Sequence, residues 1–316
     1  MSRLRIGLLT NPSAAHGAAQ RTGRQVAHLL RIAGISVVEL TASSAAVARA
    51  RAMEVRETLT ALVVVGGDGT VALGAEIVAH TAVRLGVVPA GSGNDFARAL
   101  GLEETDVEAS VRNLLHALSR PVVTIDAIEL RADVEDGHPA GAPTIAVGNV
   151  SLGFDALVNA RANSSRLSPR LRYTGGVMRE LASFRPFPYW IEVDGGPREE
   201  IDASLMTLCS TGIFGGGMRL VPDARVDDGL LDLAIVSGLG RGGLVRFLPR
   251  VFRGKHTDLS VFSVRQVREI RLGLREPMLL RAFADGEPRS QLPVRARVLP
   301  GAVRILADLP HAEVRA

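Results

Sequence analysis

Cysteine, lysine, aromatic residues and long apolar runs are all scarce in this chain, and each shortage removes a class of function. The single cysteine, Cys209, has no partner for an internal disulfide, which fits a reducing, cytoplasmic setting. Lys255 is the only lysine, so Schiff-base chemistry and phosphate-loop lysine chemistry are effectively excluded. Aromatics make up only 4% of the residues and the arginines are scattered, which leaves few stacking platforms for nucleic acid. No apolar run reaches the roughly 18–20 residues that span a bilayer. Met1 to Arg5 leads straight into the apolar run Ile6 to Leu9, without the apolar region of a signal peptide. The expectation is a cytoplasmic protein that meets membranes only peripherally.

What is present suggests a folded chain of one large or two ordinary domains: 316 residues, 47% hydrophobic. The net charge of +4 rests almost wholly on arginine. Guanidinium groups suit phosphates and anionic headgroups, through bidentate contacts. A coding bias toward arginine accounts for the excess equally well.

The most informative stretch is Leu62-Val63-Val64-Val65-Gly66-Gly67-Asp68-Gly69-Thr70. The β-branched run reads as a buried strand. The glycines let backbone approach a ligand closely, and Val71 to His80 has the pattern of a helix. A strand, glycine turn and helix start aim N–H groups at an anion, most often a phosphate. A second such unit follows: Leu85 to Pro89 as strand, Ala90-Gly91-Ser92-Gly93-Asn94-Asp95 as turn, then a helix from Phe96 with Asn94 or Asp95 as N-cap. Each turn carries an aspartate, and parallel neighbours would set both at the ligand-binding edge of one sheet.

Before them, Ile6–Leu9, a helix over Gln20–Ala33, Ser36–Leu40 and a helix over Ala45–Thr60 alternate as βαβα. The alternation predicts an α/β domain with a right-handed, doubly wound parallel sheet. Asn11-Pro12-Ser13 and Thr41 fall at the same edge as the glycine turns. Asp106–Leu118 is a further helix. After Arg120-Pro121 strands dominate: Val122–Leu130, Thr144–Val150, Tyr189–Val193, Ala203–Cys209, Leu231–Val236, Glu269–Leu274, Met278–Ala284, Val294–Leu299 and Ala302–Ile305. These predict an antiparallel β-sandwich. The expected division is residues 1–122, residues 123–305, and a tail over 306–316.

Gly-Gly-Asp-Gly-Thr followed by Gly-Ser-Gly-Asn-Asp-Phe-Ala-Arg resembles the diacylglycerol kinase catalytic domain, in particular the soluble bacterial lipid kinases related to sphingosine and ceramide kinases. Three later stretches strengthen the resemblance: Gly148-Asn149-Val150-Ser151-Leu152-Gly153-Phe154-Asp155, Gly215 to Leu233 with its Gly-Gly-Gly-Met and Asp-Asp-Gly, and Ala284-Asp285-Gly286-Glu287. Together the motifs cover nearly the whole chain. Two departures stand out. Ala14, Ala15 and His16 replace the glycine and basic residue usual after the Asn-Pro turn, and Ala72-Leu73 replaces an Asn-Glu pair.

The resemblance implies an ATP- and Mg²⁺-dependent lipid kinase of NAD-kinase/phosphofructokinase-like fold, with diacylglycerol as the leading substrate. It implies nucleotide contacts from Asn11, Pro12, Ser13, Thr41, Gly66, Gly67, Asp68, Gly69, Thr70, Gly91, Ser92, Gly93 and Asn94. Asp68 and Asp95 would serve Mg²⁺, while an ordinary helix cap is the plainer role for Asp95. Glu287 would be the general base, with Asp285 assisting or exchanging roles; a hairpin with solvated acids is the plainer alternative. Asp228 with the carbonyls of Arg225 and Leu230 would hold a structural Mg²⁺, unless Asp228-Gly229 is simply a turn. Rival readings are an NAD kinase-like enzyme and a non-catalytic lipid or nucleotide sensor.

Two basic stretches suggest lipid contact: Arg161 to Arg185, and the amphipathic pattern over Gly242–Arg253. The plainer expectation for the second is a helix packed on its own protein. The expected partner is a lipid substrate at a membrane surface, not nucleic acid, and an edge strand of the β domain is available to pair in a homodimer.

Overall fold

The computed structural model describes residues 4–11, 17–42, 44–102, 106–134, 141–153 and 185–309. Pro12, Ser13, the motif residues Phe154 and Asp155, most of the stretch Arg161 to Arg185, and the tail past 309 lie outside them. The chain divides into two compact units, Met1–Ile125 with Gly301–Ala316, and Asp126–Pro300.

The first unit is a parallel sheet built from β1 (Arg5–Thr10), β2 (Ser36–Glu39), β3 (Ala61–Gly66) and β4 (Arg84–Pro89), in the order β2-β1-β3-β4. All six residues of β3 are buried, as a central parallel strand covered on both faces must be. The end of the last strand, β17 (Val294–Ile305), adds to β4 in parallel, and Leu306 N–H continues the ladder to the Leu85 carbonyl at 2.8 Å.

Helices cover both faces. On one, α1 (Ala18–Ile32) buries Val26, Ala27 and Leu30 beside Val111 and Leu114 of α5 (Val107–Leu118). On the other, α3 (Asp68–Val78) lies so close that a Cβ on Gly74 would come 2.6 Å from Val64. Asp106 caps α5 by accepting from the N–H groups of Glu108 and Ala109. The helix expected over Ala45–Thr60 is α2 (Ala45–Val55) followed by a tighter turn over Arg56–Thr58. There the Thr58 hydroxyl bonds the Val55 carbonyl, which competes with regular helix.

In the second unit the strand pairings given below are antiparallel. Its main path is β16 (Glu287–Gln291), β15 (Arg281–Ala284), β7 (Asn149–Ser151), β9 (Glu199–Cys209), β8 (Phe187–Val193) and β14 (Glu269–Leu274), then the first part of β17. On a branch, β9 also pairs with β12 (Leu231–Ser237), and β12 with β13 (Phe262–Val267). Tyr189, Leu208, Leu233 and Ile270 lie within one apolar core.

The continuous strand expected over Thr144–Val150 is broken into β6 (Thr144–Ala146) and β7. The N–H groups of Val147, Gly148 and Asn149 all turn to one carboxylate, Asp285, instead of to a neighbouring strand. Conversely, the two strands expected over Val294–Leu299 and Ala302–Ile305 are one, because Gly301 takes a left-handed conformation (φ 58°) and carries the chain through. Among the described residues no helix is long and apolar enough to cross a membrane.

Candidate active site

In the first unit, parallel register brings the loop-forming ends of the strands level. Thr10 pairs beside Val65, and Gly66 beside Pro89. Asn11, Thr41, Gly66–Thr70 and Gly91–Asp95 therefore gather at one edge. The two glycine turns touch backbone to backbone. A Cβ on Gly91 would lie 2.4 Å from the Gly67 Cα, nearer than any real Cβ contact, so no side chain fits there. The Ala90 N–H donates to the Gly66 carbonyl at 2.8 Å and ties the turns together.

The capping of α4 (Asp95–Ala99) differs from the sequence expectation. Asn94 occupies the N-cap position with φ 57°, but its side chain makes no cap bond. Its amide folds back instead, accepting from the Gly91 N–H at 3.0 Å and donating to the Gly91 carbonyl at 3.1 Å. The helix N–H is satisfied across space: Asp68 Oδ1 accepts from Phe96 N–H at 3.0 Å. Asp68 Oδ2 faces Gly93, where a Cβ would intrude to 2.9 Å. Asp95 is paired with Arg98 at 2.7 Å, and Arg98 also donates to the Gly93 carbonyl. Thr41 Oγ1 accepts from Thr10 N–H at 3.4 Å.

Beside the turns lies a small cavity of about 110 Å³, lined among others by Thr10, Asn11, Ala42, Gly69, Thr70 and Leu73. Leu73 and Ala42 were not among the expected site residues. Alanine and leucine carry no chemical signal in a sequence, and only the fold sets them at the edge.

In the second unit, Asp285 and Gly286 both have left-handed backbones (φ 49° and 81°), the conformation of a two-residue hairpin joining β15 to β16. The Asp285 carboxylate accepts three backbone N–H groups, from Val147 at 3.0 Å, Gly148 at 2.9 Å and Asn149 at 3.0 Å. Its own N–H donates to the Asn149 carbonyl at 3.0 Å. Asp285 thus latches two strands. Glu287, next along the turn, is exposed.

The third expected site is a turn of acids. Asp228 Oδ1 accepts from the Leu230 N–H at 3.0 Å, and Arg225 pairs with Asp227. Asp126, only 2% exposed, accepts from the Gly229 N–H at 2.7 Å. Burial, with the negative charges of Asp228 and Asp223 nearby, pushes the Asp232 carboxyl up to about 6. A carboxylate and backbone carbonyls are oxygen donors of the kind Mg²⁺ takes, and Arg225, Asp228 and Leu230 lie in this one turn. Among the described residues no three His, Cys, Asp or Glu side chains converge as a metal cluster. Asp126 escaped the sequence reading. A lone acid inside the apolar run Ile125-Asp126-Ala127-Ile128 was the available signal.

Comparison with known proteins matches residues 5–127 to the diacylglycerol kinase catalytic domain and residues 148–307 to the YegS C-terminal NAD kinase beta sandwich-like domain. A diacylglycerol kinase of Mycobacterium tuberculosis H37Rv is 32% identical over 304 residues, spanning 96% of this chain and 94% of that one. A crystal structure of a diacylglycerol kinase from Bacillus anthracis superposes with a TM-score of 0.70 at 19% identity, over 99% of this chain and 100% of that one. Yeast NADH kinase superposes more loosely, with a TM-score of 0.57 at 14% identity, over 100% of this chain and 86% of that one. At those identities the two structures speak for the fold alone.

Proposed function

Since this chain belongs to the diacylglycerol kinase catalytic-domain family, whose named relatives are lipid kinases, we propose that it moves the γ-phosphate of ATP to a lipid hydroxyl, with diacylglycerol as substrate and phosphatidic acid as product. The observation that carries the reading is the contact of Gly67 with Gly91. It sets the backbones of both turns and Asp68 side by side at the sheet edge with no side chain between the turns, the strand–glycine turn–helix arrangement that suits a phosphate.

Within this reading the start of α3 and the two glycine turns bind the nucleotide phosphates. Asp68 keeps one oxygen on Phe96 N–H and offers the other to a cation, with Asp95 nearby. Mg²⁺, when bound, offsets the charge of the transferring phosphoryl group. Glu287 takes the proton of the lipid hydroxyl as the O–P bond forms. Asp285 acts by position: its latch holds the hairpin that presents Glu287. A second, structural cation would be held by Asp228 and the carbonyls of Arg225 and Leu230.

The test is transfer of labelled γ-phosphate to a panel of lipids in mixed micelles, with wild type beside Asp68→Ala and Glu287→Gln. Transfer to diacylglycerol, lost in both variants, supports the proposal. Transfer to another lipid alone replaces the substrate, and transfer to NAD replaces the acceptor class. Nucleotide binding with no transfer to either overturns the enzyme reading in favour of a sensor.

A further inference from the structure

Helix α6 (Arg241–Phe252) buries Leu244, Phe247 and Val251, and its opposite side faces water. That outer side is not the uniformly polar surface expected of a helix packed on its own protein. Val245 and Phe252 are 50% and 45% exposed. At about 100° per residue they share an arc with the exposed Pro249, so three apolar residues form one outward stripe. Arg246, Arg250 and Arg253 occupy the adjoining arc, also exposed. Single exposed apolar residues are ordinary. Three aligned beside a row of cations are not.

Between Asp232 and Asp258 the chain carries four arginines and Lys255 and not one acid. Arg246, Arg250, Arg253 and Lys255 have no carboxylate partner among the described residues. Elsewhere on this unit several exposed arginines are neutralised, as Arg265 is by Glu199, Arg295 by Glu269 and Arg297 by Glu129. The positive face of α6, formed by Arg246, Arg250 and Arg253, is therefore a local excess that no carboxylate among the described residues offsets.

From this combination we infer that the outer face of α6 is a docking surface for an anionic membrane. The stripe of Val245, Pro249 and Phe252 sits at the boundary between headgroups and acyl chains, and the flanking arginines reach lipid phosphates through their long stems. Charge complementarity selects an anionic leaflet over a neutral one. The apolar stripe favours a membrane over a purely ionic partner such as nucleic acid. The inference is independent of phosphoryl transfer, since docking needs no nucleotide.

The experiment is co-flotation of the full chain with phosphatidylcholine vesicles, with and without phosphatidylglycerol, over rising NaCl. Wild type should bind only the phosphatidylglycerol vesicles and release as salt rises. Replacing Arg246, Arg250 and Arg253 with glutamine should weaken binding on the order of 100-fold, about fivefold per cation. Val245→Ser with Phe252→Ser should weaken it about tenfold while keeping the salt dependence. If the triple variant melts early, Arg250→Gln alone, expected to cost about fivefold, carries the test. Binding that ignores phosphatidylglycerol, or that neither variant changes, overturns the inference. So does a chain that leaves vesicles alone and binds duplex DNA through the same arginines. Phosphorylation of a dispersed short-chain diacylglycerol should be unchanged in these variants while activity on vesicles falls. That separates failure of docking from failure of the kinase reading.

Discussion

Asp68 and Asp285 sit in comparable places, each at the end of a strand, each followed by glycine, each accepting backbone N–H groups from a distant segment. They differ in what is left over. Asp68 gives one oxygen to Phe96 and leaves Oδ2 against an open glycine. Asp285 spends both oxygens on three N–H groups of one neighbouring stretch. A carboxylate with a spare oxygen can serve a cation; one that is fully engaged serves the fold. On the proposed function, similar motifs divide into a chemical part in the parallel unit and a structural part in the antiparallel one, where Glu287 is the exposed acid of the turn.

The sharpest way to break this contrast is to remove the acids assigned to chemistry. Glu287→Gln and Asp68→Ala should each lower the phosphoryl-transfer rate about 10³-fold. Glu287→Gln should leave the melting temperature unchanged, because the side chain is exposed. A Glu287→Gln enzyme with wild-type kcat removes Glu287 from the mechanism.

Asp285→Ala should act on stability first. It strands three N–H groups that bonded a charged acceptor, at a cost of about 3 kcal/mol. For a unit of this size that is roughly 6–12 °C in Tm, readable by calorimetry. An unchanged Tm with activity abolished would move Asp285 from latch to catalytic acid and erase the contrast.

Gly91→Ala tests the other side. Its Cβ would press on the Gly67 Cα from 2.4 Å, so the two turns must separate. The expected cost is about 1–3 kcal/mol, with weaker ATP binding by titration calorimetry. Wild-type affinity would mean that the turns do not need their close approach.

The smallest effect concerns pH. His256 is fully buried, its Nε2 bonded to the Leu220 carbonyl at 2.8 Å, and burial lowers its pKa. Above about pH 6.5 the ring is neutral in both folded and unfolded chains and costs nothing. As pH falls through that value the unfolded chain takes up a proton that the folded chain refuses, so stability declines toward the lower folded pKa. His256→Gln should flatten that part of the curve in denaturant titrations. An unaltered slope would assign it to other groups.

The architecture was largely legible in advance. Parallel strands such as β3 are apolar throughout because both faces are covered, and glycine turns mark where they end. Periodicity also found α1 and α5 to within a few residues. Two of the misreadings share one cause. Thr144–Val150 reads as one strand because nothing local reveals that Asp285, more than a hundred residues on, will take its N–H groups. Asn94 or Asp95 reads as the cap of α4 because a cap is normally local, whereas Asp68 supplies it from another loop.

By itself, then, the sequence determined which residues sit at strand ends and which positions tolerate only glycine, since backbone conformation and burial leave periodic, local marks. It also set the family, through motifs kept in order along the chain. Tertiary structure alone decided which donors reach each acid. A carboxylate's role depends on how many donors reach it, and those donors come from segments far away in sequence: Phe96 for Asp68, Val147 to Asn149 for Asp285, Gly229 for Asp126. The same holds for α6, where the pattern predicted an amphipathic helix but only the packed fold determined which apolar residues were left facing water.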